Sequence, residues 1–374
     1  MKIRAAVLNE LGQPSPYEES QPLAIEELEL DAPGQDEVLV QIKAAGLCHS
    51  DLSVINGDRP RPVPMALGHE AAGIVAELGP GVTDLQVGDH VVMVFVPSCG
   101  HCLPCSEGRP ALCEPAAKAN LEGTLLSGAR RLHRDGCEIH HHIGVSCFAE
   151  HAVVSRRSLV KVDPDLPLDE AALFGCAVIT GVGAVVNTAK VRPGSSVAVV
   201  GLGGVGLNAV LGARLAGASR IVAIDLHADK LEFAAGLDVT DTFNAGDPDC
   251  AEQVRSATGG GVDYAFEMVG SVEAMGLAYK ITRRGGTTVS AGLSHPDKQF
   301  AFQHVNLVAE ERTVMGSYVG SCVPVRDIPR FVSLYQRGQL PVDKLLGERL
   351  KLDEINAGFD RLASGHSLRQ VVVI

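Results

Sequence analysis

The chain has 374 residues, 32 Lys and Arg against 45 Asp and Glu for a formal net charge of −13, and a hydrophobic content of 46%. At about 150 residues per domain this length predicts two domains, and the hydrophobic content excludes wholesale disorder. The acidic balance argues against a nucleic-acid partner, because neutralising phosphates takes a surplus of Lys and Arg.

From the N-terminus, the apolar stretch Ala5–Leu8 is too short for the core of a signal peptide. Up to about residue 170 the chain is rich in Val, Gly and Pro, with alternating runs such as Val38–Lys43. Turn signals recur at Ala32-Pro-Gly34, Gly79-Pro-Gly81 and Gly88-Asp89, a spacing that predicts short strands in a barrel or sandwich. Ala171–Ala189 and Ser195–Ala213 carry no formal charge but are interrupted by glycines. A buried strand–loop–helix explains them better than a membrane span. Past Arg192-Pro-Gly-Ser195 the texture changes. Candidate strands at Val197–Val200, Ile221–Ile224, Thr242–Asn244, Val262–Glu267, Thr287–Ala291 and Thr313–Gly316 alternate with helical stretches such as Val205–Leu215 and Lys230–Ala235. That alternation predicts an α/β doubly wound parallel sheet. From about Tyr318 mixed elements return, ending in a strand at Gln370–Ile374.

Gly201-Leu-Gly203-Gly204-Val205-Gly206 fits G-x-G-x-x-G between a β-branched run and a helix. The first glycine allows the tight turn, the second a close approach of pyrophosphate, and the third close packing of helix on strand. Free N–H groups and the helix dipole then attract the anion that an acidic chain would otherwise repel. Asp225 lies 19 residues beyond Gly206, where its carboxylate can accept from both ribose hydroxyls and repel a 2′-phosphate. NAD is therefore expected over NADP, with Lys230 also within reach of the ribose.

Ten cysteines without a secretion signal point to thiolates for metal or catalysis rather than disulfides, and to the cytoplasm. Cys99, Cys102, Cys105 and Cys113 fall within 15 residues, a spacing that can close a tetrahedral Zn²⁺ cage with no open position. A structural zinc stiffening a surface lobe is expected there. Cys48-His-Ser-Asp51 and Gly68-His69-Glu70 offer a thiolate, an imidazole and carboxylates from two loops, and Cys176 stands in an apolar run. Two thiolates and one imidazole leave a fourth position for water or an alcohol oxygen, the pattern of a catalytic zinc.

Gly68-His69-Glu70-Ala-Ala-Gly73, with Gly79 and Val82, matches the zinc-type alcohol dehydrogenase signature. Gly46-Leu-Cys-His-Ser-Asp51, the four-cysteine lobe, Gly175-Cys176, the glycine loop and Ser364-Gly-His-Ser-Leu-Arg369 follow in that family's order. Along essentially its whole length the chain resembles the zinc-containing medium-chain dehydrogenases of the liver alcohol dehydrogenase type. The resemblance implies a GroES-like β-rich catalytic domain, 1–178 completed by 319–374, around a Rossmann NAD-binding domain, 179–318. It implies two Zn²⁺ per subunit, one held by Cys48, His69 and Cys176, with Glu70 just behind the metal and Asp51 orienting His69. The apolar surroundings of Cys176 favour this ligand set over the carboxylate version of sorbitol dehydrogenase-like relatives. The resemblance further implies that Thr180 and Ala291-Gly292-Leu293 approach the nicotinamide, that Arg369 contacts the pyrophosphate, and that Ser50 relays a proton.

Two positions depart from the family pattern. Ser53 stands where many members carry a relay histidine, and His49 where some carry a pyrophosphate-binding arginine. Ser50, Arg59, Phe95, His142, Leu293 and Tyr318 are expected to line the substrate cleft, and His140-His-His142 is read as polar loop residues with one side chain near it. The long segment Glu114–Gly144 matches dimeric members, so a homodimer is expected. The activity implied is reversible hydride transfer between a primary or secondary alcohol and NAD, giving an aldehyde or ketone. The alternatives are a glutathione-dependent (S-hydroxymethylglutathione) dehydrogenase and a zinc-scaffolded binding protein without turnover. Ala117, where the glutathione branch carries a basic residue, weighs against the former, although Lys118 is adjacent.

Overall fold

The computed structural model describes all residues from Met1 to Ile374. They form two compact units. The first comprises Met1–Cys176, Val323–Ser333 and Leu346–Ile374, the second Ala177–Cys322 and Leu334–Leu345. The helix Pro324–Gln336 carries the chain from one to the other. Leu334–Leu345, expected with the catalytic part, packs with the second unit. Nothing local marks that crossing, because the helix runs through it unbroken.

In the first unit the strands Lys2–Leu8, Leu23–Leu30, Leu132–Arg134, Cys137–His141 and Met65–Ala66 close into a barrel. Ile3, Val7, Leu28, Leu30, Leu132 and Ile139 fill its interior. A seven-stranded sheet adjoins it, centred on Glu37–Gly46, which is buried along almost its whole length. Within Val38–Ala45 only Gln41 and Lys43 are polar, and they alone are half-buried while the apolar residues around them are buried. The C-terminal strand Arg369–Val373 pairs antiparallel with it, Val371 opposite Gly46 and Val373 opposite Ala44. Leu47 N–H donates to Gln370 O at 3.0 Å. The last strand of the chain is thereby docked beside the loop that carries Cys48.

The second unit is a six-stranded parallel sheet in the order Asp241–Asn244, Arg220–Asp225, Ser196–Val200, Val262–Glu267, Thr282–Ser290, Thr313–Gly316. Numbered along the chain this is 3-2-1-4-5-6, the Rossmann order, with the switch point beside Ser196–Val200. Val200, Val222, Ile224, Ala265 and Ile281 form part of its core. Strands predicted at Val262–Glu267 and Thr313–Gly316 have those bounds. The strand predicted at Thr287–Ala291 starts five residues earlier, at Thr282. No single helix is long and apolar enough to cross a membrane, and the charge-free stretch Ala171–Ala189 splits into separate helices at Cys176.

Candidate metal centres and dinucleotide loop

Three loops of the first unit bring one donor each to a common point. Cys48 follows the central strand with extended backbone and caps the helix His49–Ile55. His69 comes next to Gly68, whose φ of +96° and tight fit (an added Cβ would lie 2.5 Å from Phe148 N) only glycine tolerates. Cys176 directly follows the short helix Ala172–Gly175, where a Cβ on Gly175 would meet Met93 O at 2.5 Å. The two sulfurs and one imidazole nitrogen lie within 4.8 Å of one another, and all three residues are buried.

The surroundings of these donors suit a metal. Asp51 Oδ1 lies 3.0 Å from His69 Nδ1, which fixes the ring's orientation and leaves Nε2 buried without a hydrogen-bond partner. With Nδ1 taken by Asp51, Nε2 is the nitrogen left for a metal, which would displace its proton on binding. The Cys48 thiol is held well below the usual thiol range, first by its hydrogen bond with Cys176 and then, against burial, by His69. Burial opposes a charged ring at His69, but Asp51 and Cys48 outweigh it and raise the ring to about 10. Anionic sulfur is the form that binds zinc.

Glu70 is not among the converging donors. Its carboxylate is fully buried, pairs with the Arg369 guanidinium, and fills the space that the absent side chain of Gly46 leaves. Ser50 is half-buried in the first turn of the helix Cys48 caps, and His49 is exposed beside it. Ser53 donates its hydroxyl to His49 O at 2.8 Å, four residues back along the helix.

His142, expected beside the substrate cleft, lies against Asp51 and the His69 ring. It is 2% exposed, with Nδ1 3.2 Å from the same Asp51 oxygen that His69 uses. Its ring stands edge-on to His69 at 5.7 Å, and Phe95 does the same at 5.2 Å. Phe95 and His142 thus brace the His69 ring, a contact between residues far apart in the chain that no local pattern reveals. The neighbouring histidines of the run go elsewhere: His140 Nδ1 accepts from Arg130 and His141 Nε2 from the Arg131 N–H. A His142→Phe variant keeps the packing but loses the N–H facing Asp51. Zinc affinity at the three-donor site should then fall about 10–100-fold in chelator competition, with His142→Asn, which retains a donor, closer to the parent.

Cys99, Cys102, Cys105 and Cys113 also place their sulfurs within 4.8 Å of one another. None of the ten cysteines forms a disulfide. Backbone N–H groups point at the cage: Cys99 N to Cys113 Sγ at 3.2 Å and Cys102 N to Cys99 Sγ at 3.3 Å. Although burial opposes it, the His101 and Cys102 amides bring Cys99 down to about 6, while burial and crowding by neighbouring sulfurs push Cys105 up to about 12. Four thiols competing for so little compensation suit a divalent cation.

In the second unit Gly201 turns with φ +92°, and a Cβ on Gly206 would lie 1.7 Å from Gly201 O, so both ends of the motif demand glycine. A Cβ on Gly203 would meet nothing within 4 Å. That open face caps the helix Gly204–Leu215, whose N-terminal N–H groups have no side-chain cap, and it fits a pyrophosphate. Val205 is in the first turn. Asp225 ends the neighbouring strand, its carboxylate oriented by Leu202 N–H at 2.7 Å and His227 N–H at 3.0 Å. Lys230 follows in the helix Ala228–Ala235. Thr180 is buried in the helix Ala177–Gly183, while Leu293 and Tyr318 are 53% and 40% exposed.

A β-rich unit whose loops bring two thiols and an imidazole together, and a Rossmann sheet with an open glycine turn, define a zinc-binding dehydrogenase of two-domain build. Residues 34–164 match the alcohol dehydrogenase GroES-like domain and residues 204–337 the zinc-binding dehydrogenase domain. The chain belongs to the zinc-binding alcohol dehydrogenase family. It is 41% identical to a Mycobacterium tuberculosis protein named as alcohol dehydrogenase D, over 100% of both chains. It is 40% identical to the S-(hydroxymethyl)glutathione dehydrogenase of a Synechocystis species, again over 100% of both. Among solved structures, benzyl alcohol dehydrogenase from Acinetobacter calcoaceticus superposes with a TM-score of 0.93 at 35% identity, covering 100% of this chain and 99% of that one.

Proposed function

We propose that this protein is an NAD-dependent zinc alcohol dehydrogenase, reversibly converting a primary or secondary alcohol to an aldehyde or ketone. The observation that carries the reading is the convergence of Cys48, His69 and Cys176, all buried and with their donor atoms within 4.8 Å of one another. Zinc at those three donors supplies a Lewis acid that makes an alcohol hydroxyl acidic near neutral pH. Gly201, Gly203, Gly204, Val205 and Gly206 would hold NAD at their open turn, and the nucleotide would supply the hydride acceptor. Asp51 holds His69 in register. The Ser50 hydroxyl passes the alcohol proton outward, and Ser53, its hydroxyl already given to His49 O, does not replace a relay histidine. Arg369 is held by Glu70 and offers its guanidinium to pyrophosphate, and His49 makes a weaker contact than an arginine would. Arg59, Phe95 and His142 shape the alcohol side, and Thr180, Ala291, Gly292, Leu293 and Tyr318 the nicotinamide side. Cys99, Cys102, Cys105 and Cys113 would hold the second, structural zinc.

The test is metal analysis together with absorbance of reduced nicotinamide. Two zincs per chain and NADH formation with aliphatic or benzylic alcohols support the reading, whereas one zinc and no turnover refute it in favour of a scaffolded binding protein. The Synechocystis relative's name makes S-hydroxymethylglutathione a required member of the substrate panel. Ala117 and Lys118 are both exposed on the helix Glu114–Glu122, so Lys118 is the basic residue available to a glutathione carboxylate.

Asp225 carries the preference for NAD. In an Asp225→Ser variant the like-charge repulsion of a 2′-phosphate disappears, and the NADP:NAD ratio of kcat/KM should rise on the order of 10²-fold. An unchanged ratio would remove Asp225 from the ribose.

A homodimer is supported by the edge strand Thr313–Gly316, which ends the sheet with Val314 at 38% exposure, and by the adjoining helix His304–Ala309, which leaves Val305 and Val308 exposed. A sedimentation mass of one chain would refute it. Ten cysteines without a disulfide among them are in keeping with a reducing compartment such as the cytoplasm.

A further inference from the structure

Glu267 ends the strand Val262–Glu267 and is 1% exposed. Its Oε1 accepts from the Val269 N–H at 2.7 Å and the Gly270 N–H at 2.5 Å, and its Oε2 from the Ser290 hydroxyl at 2.7 Å. Its own carbonyl accepts from Ala291 N–H at 3.0 Å. One side chain thus ties together the loops that leave two adjacent strands. The fit leaves no slack: a Cβ on Gly292 would lie 2.1 Å from Gly270 N and 2.8 Å from Glu267 Oε1. All three side-chain partners are neutral donors, so the carboxylate is solvated by fixed dipoles and its negative charge is not cancelled by a cation.

The strand order locates that charge. The glycine turn follows Ser196–Val200, and Asp225 lies one strand to one side of it. Val262–Glu267 and Thr282–Ser290 lie on the other side. A dinucleotide laid across the C-terminal edge, with its adenosine at Asp225, directs its other half over the Glu267 and Ser290 ends. Val269 and Leu293, 56% and 53% exposed, offer apolar surface there for a flat ring. The oxidised nicotinamide ring carries a positive charge and the reduced ring carries none. The rest of the molecule is the same in both forms.

We propose that Glu267 is a fixed anion that biases this protein toward the oxidised nucleotide, attracting the cationic ring and leaving the neutral one unaffected. The assignment rests on the reading of the second unit as a nicotinamide-dinucleotide site. It makes Glu267 a positioning residue for two loops and also a determinant of which redox form the protein retains. A buried charge held by oriented dipoles is screened little by salt, so the bias persists at high ionic strength.

Glu267→Gln separates the two roles. The amide oxygen still accepts from Val269 and Gly270, and the amide nitrogen donates to a Ser290 hydroxyl free to rotate. Only the charge is lost. Calorimetric titration with NAD⁺ and ADP-ribose, and fluorescence titration with NADH, are run on the parent, Glu267→Gln and Glu267→Asp proteins. The expected result is that Kd for NAD⁺ rises on the order of 10-fold in Glu267→Gln while those for NADH and ADP-ribose stay within about 2-fold. Glu267→Asp, which keeps the charge, should preserve the NAD⁺:NADH ratio. Equal weakening of NAD⁺ and NADH, or no change in either, would overturn the proposal while leaving the nucleotide site standing. Failure of the parent to bind either form would overturn the site itself.

Discussion

Cys176→Ala is expected to leave one zinc per chain and to lower turnover of alcohols on the order of 10⁴-fold. The sulfur it removes is one of three donors, and the two that remain, Cys48 and His69, cannot close a tetrahedral site. The loss is larger than one ligand, because Cys176 is also the leading cause of the depressed Cys48 thiol. Without it the surviving sulfur reverts toward the protonated form that does not bind metal. A Lewis acid contributes several kcal/mol to stabilising charge that develops on the alcohol oxygen, which sets the scale of the loss. Metal analysis with steady-state kinetics measures both halves of the expectation. Two zincs with more than about a tenth of parental turnover would remove Cys176 from the chemistry. Retention of the four-cysteine zinc would show that the protein still folds.

How far these features are legible in the sequence depends on how local their causes are. The glycine turn reads directly, because backbone geometry at Gly201 and close packing at Gly206 are set within six residues. The four-cysteine cage is equally local. The first half of the strand Thr282–Ser290 escapes notice because Arg283-Arg284-Gly285-Gly286 has no apolar period. It extends because Val262 and Thr282 pair across a register shift. Partners remote in sequence are illegible. Glu70 and Arg369 meet only because the C-terminal strand pairs beside Gly46, and Gly46 N–H donates to Glu70 O at 3.0 Å. His142 reaches Asp51 through the closure of the barrel, and three consecutive histidines end in three different environments. The same limit hides Glu267, whose partners lie partly on the following strand.

The cage supports the second large expectation. Between Cys99 and Cys113 nearly every residue is exposed or half-buried, and Leu103 is 67% exposed. A segment with so few buried side chains does not recover the conformational entropy of ordering, so a metal at the four thiols would be what holds it. Exchanging Cys99 and Cys102 together for serine should remove that zinc alone. The first unit should lose about 3 kcal/mol or more, a melting temperature lower by roughly 6–12 °C for a domain of this size. Limited proteolysis should then cut first between residues 99 and 113. The effect reaches the neighbouring loop as well, because Cys113 caps the helix Glu114–Glu122, and Asn120 on that helix donates to Phe95 O at 3.1 Å. Phe95 braces His69, so kcat should fall modestly while the three-donor zinc remains. Burial holds the Cys105 and Cys113 thiols up, so zinc uptake must release their protons, and affinity should weaken as pH falls. A variant that melts within about 2 °C of the parent and resists protease at this lobe would show that side-chain packing, and not metal, orders it.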